Sequence, residues 1–310
     1  MGEIRRHVRV GRTTDRVMLR LPRQVRQSLV VYALLSPALI IIATFSFIPL
    51  VWDILLSLSS GGMLGATKFV GFSNFARAVH DPLFLLTLRN TIEYAVLTVP
   101  TALICGLIVA LMISQLPRFR GFFRGTVYFP VVVPIVIAAN VWAYIANRDF
   151  GPVNFILGLA GIPHIDWLGN PTLAIPAIVM EEVWRGFGFY VIVLSAALLA
   201  VPREVDEAAR IDGATGLRVA WSITIPLLRP AIAFCAVMAT IWNFQIFDVV
   251  YVLTQGGPAG ATATVSWYVY EQAFQANNPG IASTMSIFLL VMILALSLAQ
   301  LRFFRSDVEY

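Results

Sequence analysis

The sequence predicts an all-α membrane protein of six transmembrane helices with both termini in the cytoplasm. Three observations carry this. Of the 310 residues, 58% are hydrophobic and only 13% charged, with a mean hydropathy of +0.80; a soluble domain carries nearer a quarter charged residues. That much apolar side chain cannot hide inside one globule of this size, so membrane lipid must solvate part of it. Second, six stretches are long enough to cross a bilayer core of about 30 Å, which takes roughly 20 apolar residues in helical form. Third, basic residues divide unequally between alternate loops. A soluble enzyme, a nucleic-acid binder and a disordered chain are excluded at this step, and no nucleic-acid partner is expected.

The spans fall at about 29–52, 91–113, 126–146, 174–200, 230–253 and 282–301. The first contains Pro37, Pro49 and Asp53, which predicts a kink and an exit near Asp53. It exceeds a signal-peptide core in length and no A-x-A cleavage site follows, so it reads as a retained helix. The two cysteines, Cys105 and Cys235, lie in apolar runs with no flanking His or Cys pattern and read as packing residues.

Topology follows from the 22 Lys and Arg residues. Eight arginines between Arg5 and Arg26, then Arg118, Arg120 and Arg124, then Arg203, Arg210, Arg218 and Arg229, and finally Arg302 and Arg305 place 17 on one side. The opposite segments hold four, Lys68, Arg77, Arg89 and Arg148, while Arg185 lies within the fourth span. The net charge of +5 is thus explained by positive-inside asymmetry, with both termini cytoplasmic. The chain divides into an arginine-rich cytoplasmic tail (1–28), a six-helix transmembrane domain (29–301) with a long cytoplasmic loop at 201–229, and a C-terminal tail (302–310). The N-terminal tail reads as a lipid-facing anchor.

The outer segments, 59–88, 147–173 and 254–281, are rich in Gly, Pro, Asn and aromatics. Such composition predicts turns and short interfacial helices.

The loop from Val201 to Arg229 is unusually long. Pro202 starts a helix whose first turns hold Glu204, Asp206 and Glu207, favourable to the helix dipole. Ala208 and Ala209 are small enough for close approach of another surface, and Gly213 permits the left-handed turn that ends this helix. A second amphipathic helix is expected from about Gly216 to Thr224, with Pro226 stopping it before the membrane.

The run Glu207-Ala208-Ala209, three residues, Gly213, nine residues, then Ile223-x-Ile225-Pro226 resembles the EAA loop of the permease subunits of ABC importers. Ile225 stands where Leu is usual. The Gly-Phe-x-Asn-Phe segment at 71–75 and the run Phe247-Asp248-x-x-Tyr251-x-Leu253-Thr254-x-Gly256-Gly257-Pro258 are similar to the carbohydrate-uptake branch, in particular its maltose-type first permease. The resemblance covers roughly 28–305. It implies a coupling helix, carried by Glu207, Ala208, Ala209, Arg210, Asp212, Gly213, Ile223 and Pro226, that docks into a groove on an ATP-hydrolysing subunit. It also implies a bacterial or archaeal inner-membrane location and three kinds of partner: a second, sister permease, two ATPase subunits, and a periplasmic or lipid-anchored solute-binding protein that delivers a carbohydrate. The chain has no G-x-x-x-x-G-K-[ST] run, so ATP and Mg are expected on the ATPase partners and no cofactor on this chain.

Ionisable residues at membrane depth are costly and point to function. On the fourth span, Glu182, Arg185, Gly186 and Phe189 share a helical face; on the fifth, Ala239, Trp242, Asn243 and Ile246 have the same spacing. Counted from the EAA loop, these faces match those lining the sugar pocket of maltose-type permeases. Aromatic rings stack on pyranose faces, and an amide both donates to and accepts from hydroxyls. Arg185 reads equally as a solute contact or as an interfacial anchor or partner of Glu182, and Trp242 and Phe189 equally as packing. Asp248 is expected one turn further out, as a gate or in an ion pair. Glu182 and Ile246 stand where maltose-type pockets offer amides. A second solute class, glycerol 3-phosphate or a glycerophosphodiester, shares the branch. A membrane-embedded enzyme is a remote alternative: it needs a Ser–His or Asp–Asp pair at membrane depth, and His7, His80 and His164 all lie in the tail or outer segments.

Overall fold

The computed structural model describes residues 23–62, 68–202, 204–205 and 216–304. The described part of the N-terminal unit, which ends at Leu55, belongs to one long apolar helix. It is built from α1 (Arg23–Ile42), a π-helical turn at Ala43–Phe47 and α2 (Ile48–Ser57). Pro49 does not kink it sharply and the helix does not end near Asp53. Proline lacks the amide that an α-turn would use. The π turn directly upstream, closed by Ile48 N–H to Ala43 O, shifts the ladder so that the helix runs on to Ser57.

The second unit, from Leu56, opens with a two-residue ribbon, β1 (Ser59–Ser60) antiparallel to β2 (Lys68–Phe69) with Ser59 opposite Phe69. Then come α3 (Ser73–His80) and α4 (Pro82–Gln115). The α4 helix begins some nine residues before its expected start: Asp81 caps it, accepting from Leu83 N–H at 2.9 Å, and Pro82 occupies its first turn. Arg89 therefore lies inside a helix.

The expected third span is broken. α5 (Arg120–Val132) and α6 (Ile135–Ile145) meet at a 92° bend. Pro134 cannot donate to the ladder, and it forces Val133 into an extended conformation (φ −71°, ψ 131°). Next follow α7 (Pro152–Leu159) and α8 (Ala174–Ala200). After α8, Glu204 and Val205 are helical, with Val205 N–H donating to Pro202 O. Glu207, Ala208, Ala209, Arg210, Asp212 and Gly213 lie outside the described residues.

The chain resumes as α9 (Gly216–Val219), a π turn at Ala220–Thr224 and α10 (Ile225–Leu227). Pro226 does not stop this helix. The π turn stands two residues before Pro226, as the other does before Pro49, and Ile225 N–H reaches back to Ala220 O. The break falls instead at Leu228, just ahead of Pro230, where the path bends 67° into α11 (Arg229–Phe244). The expected fifth span also ends early: Gln245–Phe247 are non-helical, and Asp248 opens a separate short helix, α12 (Asp248–Leu253). α13 (Val265–Tyr270), a π turn at Glu271–Gln275 and α14 (Pro279–Phe304) complete the unit.

Among the described residues, four helices are long and apolar enough to cross a membrane, and up to six spans result if each bent pair is one span. Many large apolar side chains face outward, including Leu34, Phe45, Val96 and Phe303, as lipid solvation requires. Inside, α4 packs on α8 through small residues: a methyl placed on Gly106 would lie 2.7 Å from Tyr190 Cβ. Cys235 is fully buried in this seam with Ala102, Ala110, Leu194 and Ala239, the packing role expected of it.

Three asparagines order the outer segments. Asn74, from the Gly-Phe-x-Asn-Phe run, donates to Ser57 O and Ser59 O at 2.9 and 2.7 Å. Asn90 donates to Gly260 O and Ala263 O at 2.9 and 3.0 Å, tying the Gly-Gly-Pro turn to α4. Asn154 donates to Arg148 O and Ile165 O and accepts from Trp167 Nε1. Tyr268 donates to Asp81 at 2.7 Å; burial and then that carboxylate push its phenol up to about 12, so it remains a donor.

Candidate functional site

A cavity of about 320 Å³ lies where α8, the α11–α12 break and the α5–α6 break converge. Eight of the nine residues singled out on the fourth and fifth spans line it, Glu182, Arg185, Gly186, Phe189, Trp242, Asn243, Ile246 and Asp248; the ninth, Ala239, is buried instead in the core cluster with Cys235. The first four sit near the middle of the 27-residue α8, on one face because the last three lie three, four and seven residues beyond Glu182.

The second face is built otherwise than expected. α11 ends at Phe244, so Ile246 and Asp248 do not continue its stripe. They reach the cavity through the non-helical turn at Gln245–Phe247. The carbonyl that this turn frees on Ile246 accepts from Thr264 Oγ1 at 3.0 Å. Both helix breaks contribute lining residues, Val131 and Ile135 from one, Gln245 and Phe247 from the other. Irregular backbone at membrane depth is tolerated where it lines a cavity or is buried in protein.

Arg185 is engaged on both sides. Its Nη2 donates to Glu182 Oε2, and its Nε lies 3.6 Å from Glu181 Oε1. Glu181 is 0% exposed and is not among the residues lining the cavity; neither of its oxygens accepts a hydrogen bond. Of the two roles open to Arg185, the ion pair with Glu182 is the one formed. Phe189 and Trp242 meet edge to face with centroids 4.9 Å apart, and 45% of Trp242 remains exposed. The pair therefore both packs and faces the cavity. Asn243, 5% exposed, donates from Nδ2 to Ala239 O at 2.8 Å, while its buried Oδ1 has no partner. Asn243 lines the cavity, so this unsatisfied acceptor lies within the cavity wall.

Sequence reasoning missed Tyr94 and Tyr190, which also line the cavity. A signal for Tyr94 existed. Thr87, Asn90, Thr91, Tyr94 and Thr98 form a buried polar stripe at helical spacing along the apolar α4. Gln245, Phe247 and Val249 had no such signal, because they depend on where α11 breaks. Among the described residues no group of His, Cys, Asp and Glu is placed to hold a metal ion. In the loop, Ile223 is half-buried within the π turn and Pro226 is exposed on α10.

Residues 102–306 match the model of the family described as binding-protein-dependent transport system inner membrane component. The chain belongs to this family. It is a multi-pass permease subunit of the ABC transporter kind, a transport component and not an enzyme, with ATP hydrolysis carried out by separate subunits. The trehalose/maltose transport system permease protein MalF of Thermococcus litoralis is 33% identical over 91% of this chain and 96% of its own length. The sn-glycerol-3-phosphate transport system permease protein UgpA of Agrobacterium fabrum is 32% identical over 90% and 96%. A solved bacterial ABC transporter involved in the import of the acidic polysaccharide alginate has a chain that superposes with a TM-score of 0.81 at 24% identity, covering 93% of this permease and 99% of that chain; it shares the fold.

Proposed function

We propose that this permease pairs with a sister permease to form the translocation path of an ATP-driven importer for a sugar or oligosaccharide. The single observation that carries this is the cavity. It presents an aromatic pair, Phe189 and Trp242, beside an unpartnered amide oxygen on Asn243. Aromatic faces pack on the apolar faces of pyranoses and the amide accepts from a hydroxyl. The names of relatives such as the trehalose/maltose permease support the same class.

In this reading the chain has six spans, each bent pair counting as one, both termini are cytoplasmic, and residues 29–301 form the transmembrane domain in the inner membrane. An external binding protein, periplasmic or lipid-anchored, delivers the solute. Two ATPase subunits hold ATP and Mg and dock on the 201–229 loop, whose contact residues are Glu207, Ala208, Ala209, Arg210, Asp212, Gly213, Ile223 and Pro226. Closure of the ATPases on ATP moves the docked loops and tilts α8 and α11, opening the cavity outward; hydrolysis returns it to the cytoplasm.

Glu207→Lys replaces attraction by repulsion at the docking groove, and Gly213→Val blocks the left-handed turn. Both are expected to abolish uptake in proteoliposomes, with Glu207→Lys also releasing the ATPase subunits from the membrane. Full binding-protein-stimulated ATP hydrolysis and uptake by purified Glu207→Lys complex would refute the docking role. A second reading, glycerol 3-phosphate import, draws on the guanidinium of Arg185 at the cavity and on the relative of that name.

A further inference from the structure

The charges around the cavity decide between those two solute classes. Three ionisable side chains of opposite sign line it: Glu182, Arg185 and Asp248. No other Lys or Arg among the described residues does so. The one cation is already committed, to Glu182 through Nη2 and to Glu181 through Nε. A phosphate or sulfonate entering the cavity would have to compete for this guanidinium with a carboxylate that is covalently fixed to the same helix. Three residues apart on α8, that carboxylate has a very high effective concentration.

The sign of the sum does not depend on the state of the buried Glu181. If Glu181 carries a proton, Glu182 and Arg185 cancel and Asp248 leaves one negative charge. If Glu181 is ionised, two negative charges remain. A narrow cleft with low-dielectric walls focuses such a field, so that it acts on any charged solute within several ångströms.

We propose that Glu182 and Asp248 make this half of the path reject anions, and that Arg185 serves as their counter-ion and not as an anion-binding group. The solute is then a neutral or cationic polyhydroxyl compound; phosphorylated, sulfonated and uronate sugars are excluded. Resting on the reading of the cavity as the solute path, this makes Glu182 and Asp248 specificity-determining residues.

The field can be read without knowing the solute. Gln245 is exposed and lines the cavity. In the full complex with sister permease and ATPase subunits, with Cys105 and Cys235 replaced by serine and alanine, Gln245→Cys is treated with cationic and anionic methanethiosulfonates of equal size. Rates are corrected by those of a free thiol and measured with and without ATP. Trp242→Cys serves as a second reporter position if the first does not assemble. The cationic reagent is expected to react about tenfold faster than the anionic one, as roughly one unit of uncompensated charge implies. Adding Glu182→Gln and Asp248→Asn is expected to bring the ratio to within about twofold of unity or invert it in favour of the anion, since Arg185 is then freed.

Equal rates in the wild-type background overturn the charge inference while leaving the cavity as a water-accessible path. An unchanged ratio in the double variant likewise overturns it, by moving the selectivity off these two residues. If neither reagent reacts at either position in any nucleotide state, the path reading fails and this inference with it.

Discussion

Asn243→Ala separates a solute contact from buried packing. The Nδ2 bond runs to Ala239 O, one turn back on the same helix. That carbonyl is four residues upstream, so it already accepts the helical backbone bond and loses little when the amide goes. The cost to folding is a partly filled space at a cavity wall, about 1 kcal/mol. The Oδ1 atom has no protein partner to lose. Its removal therefore acts on whatever hydroxyl occupies the cavity, and a hydroxyl desolvated without an acceptor costs about 1–3 kcal/mol, on the order of five- to 150-fold in occupancy. Uptake should be measured in proteoliposomes with the cognate binding protein, alongside ATP hydrolysis and complex abundance. The expected outcome is at least about a fivefold fall in solute transferred per ATP hydrolysed, with assembly and basal hydrolysis nearly unchanged. Unaltered uptake at equal abundance would remove Asn243 from the path and leave helix packing as the better account of its burial.

Three further outcomes follow from other parts of the molecule. Cysteines placed at Ser28 and Ala259 should be labelled by an impermeant reagent from opposite sides of the membrane, because basic residues divide 17 to 4 across the loops; labelling of both from one side would refute the topology. Gly106→Ala forces α4 and α8 apart by about 1 Å at Tyr190 and should cost about 1–3 kcal/mol, read as a lower thermal midpoint of the complex, whereas Gly125→Ala, with open space around it, should leave the midpoint in place. Tyr268→Phe removes a bond to the Asp81 carboxylate and should cost about 1.5–3 kcal/mol at neutral pH. Because the folded state raises this phenol from 10.0 to about 12, the bond's contribution is complete below pH 10 and is lost as pH rises through 12, so the wild type and Tyr268→Phe should converge there. A gap that widened with alkalinity would contradict that sign.

The broken helices explain why one cavity draws lining from so many places. A continuous helix presents a single stripe, whereas a break exposes consecutive residues on differing sides. Gln245, Ile246, Phe247, Asp248 and Val249 all reach the cavity in this way. Their backbone is kept satisfied by groups such as Thr264 Oγ1, since an unpaired carbonyl at this depth is costly.

The sequence by itself determined the all-helical membrane class, because side-chain hydropathy and basic-residue placement act locally and are read directly from composition along the chain. It also determined the first of the faces that line the cavity. Glu182 to Phe189 share a side of α8 through helical periodicity alone, and a charged or amide side chain in an apolar run needs a partner or a function wherever it sits. Proline marked helix irregularity correctly but not its kind. Pro49 and Pro226 are absorbed by upstream π turns, while Pro134 and Pro230 adjoin sharp bends; neighbouring backbone and packing choose between these, and the residue type does not. Only the tertiary structure decided that α11 stops at Phe244, with no Gly or Pro to announce it, because the turn that follows is stabilised by Thr264, 18 residues beyond the Ile246 carbonyl it binds. It alone decided, too, that Arg185 pairs with Glu182 and Glu181, and that Tyr94 from α4 joins the cavity. Contacts between residues distant in the chain depend on how the helices cross, and that is settled by the summed packing of small seams such as Gly106 against Tyr190, which no local pattern encodes.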